Sequence, residues 1–283
     1  MTTELKMKLE NRAGEWGFRL LVIALCVYSF FPVLWLFLTS LKSDAQIIAW
    51  PVEYLPSPVT LEQFYEVFAR APFLQFIMNS VFVSAAATVL CVGAATLAAY
   101  PLARLDIPGK GVILIGFLLI STFPLISMMV PLFEIFRELG MLNQRITLIL
   151  PYAIFSMPIS IWILTAFFRE IPAALEDAAR IDGCSNLGAL VRVIFPLSAP
   201  GVATAAMMAF INSWNEFTLA FSLITERTRY TLPVGITLLR GQYAMPWGLI
   251  AAGIVIAIIP LVFLIIVFQK TLIAGLTKGA VKG

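Results

Sequence analysis

Asn212, Ser213, Trp214, Asn215 and Glu216 set two amides, an indole and a carboxylate side by side inside an otherwise apolar run. Sugars take that combination: their hydroxyls bond to amides and carboxylates, while the C–H face of a ring lies against indole. A charge at the centre of a membrane span costs roughly 2.5–3.5 kcal/mol on insertion scales, so Glu216 must face protein, water or a partner charge. Two roles fit it. It lines a solute pathway, or it belongs to a structural cluster that bonds neighbouring helices or ends a span near the interface. Asn79 and Ser80, in another apolar run, and Pro124 and Pro131 are open to the same pair of readings, shaping of the pathway or packing.

A second polar interruption, 172–183, runs Pro-Ala-Ala-Leu-Glu-Asp-Ala-Ala-Arg-Ile-Asp-Gly between two apolar runs. It reads as a short helix with Pro172 at its first turn, the carboxylates Glu176 and Asp177 close behind, and Gly183 ending it. Ala174, Ala178 and Ile181 share one side at i, i+4, i+7, with Leu175 and Ala179 adjacent. Small side chains let a helix backbone approach another surface closely, so this side suits insertion into a cleft. A helix that merely tidies the connection at the interface is the alternative. A second short helix is expected over 185–195, with Pro196 at the entry to the next span.

Other chemistry is thinly provided. Histidine is absent, which removes the commonest general base and metal ligand, so no catalytic residue and no metal site are expected. Cys26 and Cys91 lie in apolar runs and Cys184 stands beside Gly183, without paired spacing, and all three read as reduced and structural. No Gly-x-x-x-x-Gly-Lys-Ser/Thr segment occurs, so this chain is not expected to hydrolyse ATP by that machinery. A formal charge of +3 is too small to point to nucleic acid.

The elements that must position these residues are membrane spans. Sixty per cent of the 283 residues are hydrophobic and 12% are charged, a composition that cannot present an ordinary soluble surface. Six stretches, 18–41, 76–99, 112–133, 146–168, 197–224 and 247–268, approach the roughly 20 apolar residues that cross about 30 Å of hydrocarbon. Several contain Pro or Gly, which a packed bundle tolerates. The first run is too long for a cleaved signal and should stay as an anchor. Twelve of the 19 Lys and Arg fall in the segments on the side of both termini and seven on the other, which places the termini and the 172–183 helix in the cytoplasm. The outer loops at about 42–75 and 225–246 then read as an ordered cap and as a candidate contact for a soluble partner through Arg227, Arg229, Arg240, Gln242 and Tyr243, or as ordinary surface.

The connecting stretch also resembles a known family, the membrane subunits of ATP-binding-cassette importers, and within it the carbohydrate-uptake branch of the maltose and glycerol-phosphate type. The signature there is Glu-Ala-Ala, three residues, Gly, nine residues, Ile, one residue, Leu-Pro. Here it stands as Asp177-Ala178-Ala179, Gly183, Val193 and Phe195-Pro196, with Asp for Glu, Val for Ile and Phe for Leu, and with Glu176 preceding Asp177. Asn79-Ser80, the run ending Tyr100-Pro101-Leu102-Ala103-Arg104, Phe167 to Pro172, Trp214-Asn215-Glu216-Phe217 and the tail from Gly275 are similar to the same branch.

That resemblance implies an all-α integral membrane protein with six transmembrane helices and the type I importer permease fold. Its segments would be 1–17, cytoplasmic; 18–269, the permease domain with the coupling loop 170–196; and 270–283, a cytoplasmic tail. It implies that Glu176, Asp177, Ala178, Ala179, Asp182, Gly183 and Pro196 serve coupling, the helix seating in a separate homodimeric ATPase that binds ATP and Mg. The remaining implied partners are a second permease, an extracytoplasmic solute-binding protein, a sugar and membrane lipid, in a bacterial or archaeal cytoplasmic (inner) membrane. An ion-coupled secondary transporter or channel is the rival. It would want several embedded carboxylates, where Glu216 stands nearly alone. A membrane enzyme, the other rival, finds no clustered acids or histidine.

Overall fold

The computed structural model describes the backbone of residues 3–240 and 245–280 and the side chains of 15–240 and 245–269. The tail 270–283 and the loop residues Gln242 and Tyr243 therefore lie outside the described side chains. Among the described residues four helices are long and apolar enough to cross a membrane, and two pairs, each bent by 83°, raise the count to six if each pair is one span.

The chain divides into two compact units. The first comprises 1–70 and 239–256. Its helix Thr3–Ser40 is followed by a loop tied down by polar contacts. Lys42, only 3% exposed, donates to the Glu53 carbonyl at 2.5 Å and lies over the Trp35 ring at 4.9 Å. Gln63 donates to Asp44 at 2.9 Å, and its amide leaves no room for a Cβ at Gly248, which would come within 2.7 Å. These contacts tie parts of the stretch expected to form a cap together, while its Trp50, Tyr54, Leu55 and Tyr65 side chains are exposed.

The second unit, 71–238 with 257–283, carries the polar sites. Its centre is the 32-residue helix Phe73–Arg104 packed along the 25-residue helix Ile146–Glu170, with Ala199–Asn215 against both. Ala87, Ala95 and Ala99 are fully buried, the small-residue contact by which apolar helices approach closely where lipid offers no hydrophobic drive. Gly201 serves the same end: a Cβ there would lie 2.3 Å from the Phe167 ring. Near the polar connection the core is formed by Tyr100, Leu102, Leu164, Phe168, Leu190 and Ile194; near the opposite end, by Val83, Phe136, Leu148, Tyr152, Leu219 and Leu223.

Two expected spans differ from the sequence reading. The run 112–133 is not one rod but Lys110–Ser121 and Leu125–Glu138 at 83°, broken around Pro124, whose ring cannot continue the preceding turn. The run 197–224 starts at Ala199, bent 83° from Asn186–Leu197, and stops at Asn215; Glu216 is extended, with φ −69° and ψ 125°, before a short helix Thr218–Leu223. Apolar content continues through both breaks, so hydropathy alone does not reveal them.

Candidate functional site

The connecting helix forms where expected, at Ala173–Ile181 with Pro172 at its N-cap. Its end is closed by paired reversal bonds: Cys184 N–H donates to the Ala179 carbonyl at 2.9 Å and Gly183 N–H to Arg180 at 3.0 Å. Gly183 adopts φ +86°, the left-handed conformation that such a cap requires and that glycine enters without steric cost. Ser185 then caps the next short helix, accepting from Gly188 N–H at 3.1 Å, and the backbone widens into a single π turn over Leu190–Ile194 before Pro196.

The two carboxylates of this helix part company. Glu176 points inward and is 4% exposed, whereas Asp177 is exposed. Glu176 Oε1 accepts from the Tyr100 hydroxyl at 2.5 Å and from Arg180 at 2.7 Å, while Oε2 lies 3.3 Å from Arg104 Nε, an ion pair outside hydrogen-bond geometry. Arg104 also donates to the Ile171 carbonyl at 2.6 Å, and Arg169 to the Leu102 carbonyl at 3.3 Å. Beside Tyr100 and Glu176, and against the effect of burial, the Arg180 guanidinium is held above its ordinary pKa and stays charged. Ala179 also packs inward, at 8% exposure. The opposite side of the helix presents Ala174, Leu175, Ala178 and Ile181, the last 86% exposed, with Asp182 and Gly183 exposed beyond them and Pro196 exposed after the π turn.

The second constellation sits at the break after Asn215. There the Glu216 carboxylate accepts from the Tyr152 hydroxyl at 2.6 Å, from Leu219 N–H at 2.8 Å and from Ala220 N–H at 3.1 Å. It supplies partners for first-turn amides that have none within the short helix, and its charge meets the positive end of that helix. Glu216 and Asn212 line a cavity of about 220 Å3 together with Tyr152, Ser156, Ser213 and Phe155 among others. Trp214 does not line it. The indole is 2% exposed, stacked on Phe210 with centroids 5.7 Å apart, and donates from Nε1 to the Ala257 carbonyl at 3.3 Å. Asn215 is exposed and outside the lining.

Asn79 lies elsewhere. It is 1% exposed, donates to the Thr228 and Tyr230 carbonyls at 2.9 and 3.0 Å, and accepts from Gln75 and Arg145 at 3.0 and 3.2 Å. Its neighbour Ser80 accepts from Leu232 N–H at 2.7 Å. Together they pin the loop after the broken span onto helix Phe73–Arg104. That loop is also held by Asn143, at φ +64°, whose Oδ1 accepts from Thr225 and Glu226 N–H at 2.6 and 2.9 Å. A polar recess of about 700 Å3 opens beside it, lined by Gln75, Gln144, Arg145, Glu226, Thr228 and Arg229.

Sequence reasoning passed over Tyr100 and Arg104 as site residues, and Tyr152 and Asn143 altogether. Arg104 and Tyr100 were visible only as parts of a motif at a span end, and Tyr152 carries no signal beyond being a hydroxyl in an apolar run. Asn143 had one local cue, since asparagine tolerates the left-handed region.

A short helix held against a bundle of spans, with one side left open and closed by a glycine reversal, is the architecture of an importer permease. The chain belongs to the family described as the binding-protein-dependent transport system inner membrane component, whose model matches residues 91–278. It is a multi-pass membrane permease subunit of an ATP-binding-cassette importer, a family in which the ATPase is a separate subunit. Among its relatives, the sulfoquinovosyl glycerol transport system permease protein SmoH of Agrobacterium fabrum is 44% identical over 92% of this chain and 91% of its own length. The trehalose transport system permease protein SugB of Mycobacterium tuberculosis is 42% identical over 90% of this chain and 93% of its own. A solved bacterial transporter that imports the acidic polysaccharide alginate shares the fold, with a TM-score of 0.79 at 24% identity over 92% of this chain and 97% of that one.

Proposed function

We propose that this permease carries a sugar or glycoside inward, and that helix Ala173–Ile181 is its seat on a separate ATPase homodimer which alone binds ATP and Mg. A second permease completes the pathway, a solute-binding protein delivers the cargo on the extracytoplasmic side, and both termini lie in the cytoplasm. The observation that carries the coupling role is the exposed side of that helix. Ala174 and Ala178 offer a small-residue surface with Leu175 and Ile181 as its apolar projections, flanked by Asp177 and Asp182, while the opposite side is already bonded to the bundle. A stiff helix so held passes closure of the ATPase to the spans, where a free loop would dissipate it. The cargo class is supported by the solutes for which the two relatives are named and by the Asn212–Glu216 cavity, whose amide, hydroxyl and aromatic lining suits a polyol. An ion-coupled carrier is disfavoured, because Glu216 is committed to Tyr152 and two amides.

Ala178→Trp puts a bulky ring where close approach is needed, and Gly183→Pro places proline at φ +86° and removes the amide that closes the helix. Each should cut the ATPase recovered with the tagged permease about tenfold, equivalent to roughly 1.4 kcal/mol, with membrane insertion unchanged. Full recovery with both variants sinks the docking role. The cargo is tested separately, by the rise in ATPase activity of the reconstituted transporter with its binding protein when a panel of sugars and glycosides, trehalose and sulfoquinovosyl glycerol among them, is added; stimulation by none of the panel refutes the cargo class.

A further inference from the structure

Glu176 is the carboxylate that the connecting helix does not offer to a partner. It is 4% exposed, and of its three contacts two, Tyr100 and Arg104, belong to helix Phe73–Arg104, which is not a chain neighbour of the connecting helix. The Arg104 side chain is only 10% exposed, and it clasps the connection twice, through the Glu176 carboxylate and the Ile171 carbonyl. Arg169 returns the bond, from the end of helix Ile146–Glu170 to the Leu102 carbonyl. Covalent continuity already joins the connecting helix to its flanking spans; these side chains join it to a third.

We propose that Arg104 and Glu176 are positioning residues that make the inner end of helix Phe73–Arg104 move with the connecting helix, so that a displacement applied to the latter reaches three spans and not two. A buried charge pair is a poor source of net stability, since its desolvation offsets its attraction. Its usefulness is geometric. Two charges with fixed hydrogen-bonding partners hold one relative placement, and a tie of this kind resists sliding where an apolar contact allows it. Tyr100 adds a second anchor on the same helix, one turn before Arg104, and Arg180 keeps the carboxylate aimed from the connecting helix's own side. The inference rests on the docking role proposed above, because without a partner there is no displacement to pass on.

The test is hydrogen exchange read by mass spectrometry on the assembled transporter in nanodiscs, nucleotide-free and trapped with ATP, Mg and vanadate. Segments 171–184 and 100–107 should both change their exchange on trapping in the wild type. In Arg104→Met, which leaves Glu176 paired with Arg180, segment 171–184 should still respond and segment 100–107 should lose its response. Arg104→Lys, which keeps the cation, should retain it. Glu176→Gln cuts the same tie from the other side, so it should lose the response at 100–107 as well, should Arg104→Met not assemble. An undiminished response at 100–107 in both Arg104→Met and Glu176→Gln overturns the tie while leaving docking intact, as does silence at 100–107 in a wild type whose 171–184 responds. Silence at 171–184 in the wild type overturns the docking role, and the tie with it.

Discussion

Glu216→Ala should abolish most of the folded protein, and only secondarily affect what is transported. The carboxylate satisfies the Tyr152 hydroxyl and the amides of Leu219 and Ala220, three donors on residues no more than 3% exposed. A buried donor left without an acceptor costs about 1–3 kcal/mol, so the three together cost on the order of 3 kcal/mol or more. That is a large share of the roughly 5–15 kcal/mol that holds a domain together. Glu216→Gln keeps one carbonyl oxygen and the side-chain volume, and should fall between wild type and alanine. Folded yield and thermal stability in detergent give the measurement, with ATPase stimulation in reconstituted transporter as the second readout. A stable Glu216→Ala protein with defective stimulation would shift the weight to solute contact.

Gly235→Ala is the second large effect and needs only one methyl group. The added Cβ would lie 2.1 Å from Phe76 Cδ2 and 2.7 Å from two further atoms of that ring. Phe76 is fully buried, and its ring neighbours Phe73 and Tyr230 lie at centroid distances of 6.3 Å, so any turn of its ring must be made against them. Helix Leu232–Thr237 has little freedom to retreat either, because Leu232 N–H is fixed to Ser80 Oγ at 2.7 Å. Overpacking of a dense core costs typically about 1–3 kcal/mol, which lowers Tm by roughly 2–4 °C per kcal/mol in a domain of this size. Phe76→Leu in the same chain should recover part of the loss, a coupling that a double-mutant cycle detects. Additive losses would show that the segment yields without pressing on Phe76.

The places of the spans were legible because apolar length is a property of composition, readable run by run. The connecting helix was legible for a different reason: Pro172, Gly183 and the i, i+4, i+7 placement of Ala174, Ala178 and Ile181 are all local. What failed to show was whatever depends on a partner far along the chain. Nothing near Glu176 distinguishes it from Asp177; the difference is made by Arg104 and Tyr100 on another helix. Glu216 was correctly marked as needing a partner, yet the partners are backbone amides freed by a break that the carboxylate itself stabilises, a circular dependence that no run of hydropathy contains. Trp214 was offered as a stacking platform on chemistry alone, and packing on Phe210 claims its face instead.

The length of helix Ala199–Asn215 has a bearing on how the protein sits among lipids. Seventeen residues at 1.5 Å each give about 25 Å, less than the thickness of the acyl region. For a rod that starts at one face of the hydrocarbon, the peptide groups at the Glu216 break fall short of the other face, where fatty tails offer them no bonding partner and only neighbouring chain or water can supply one. Here the amides of Leu219 and Ala220 find that partner in the Glu216 carboxylate, so the shortened rod carries the means of its own termination with it.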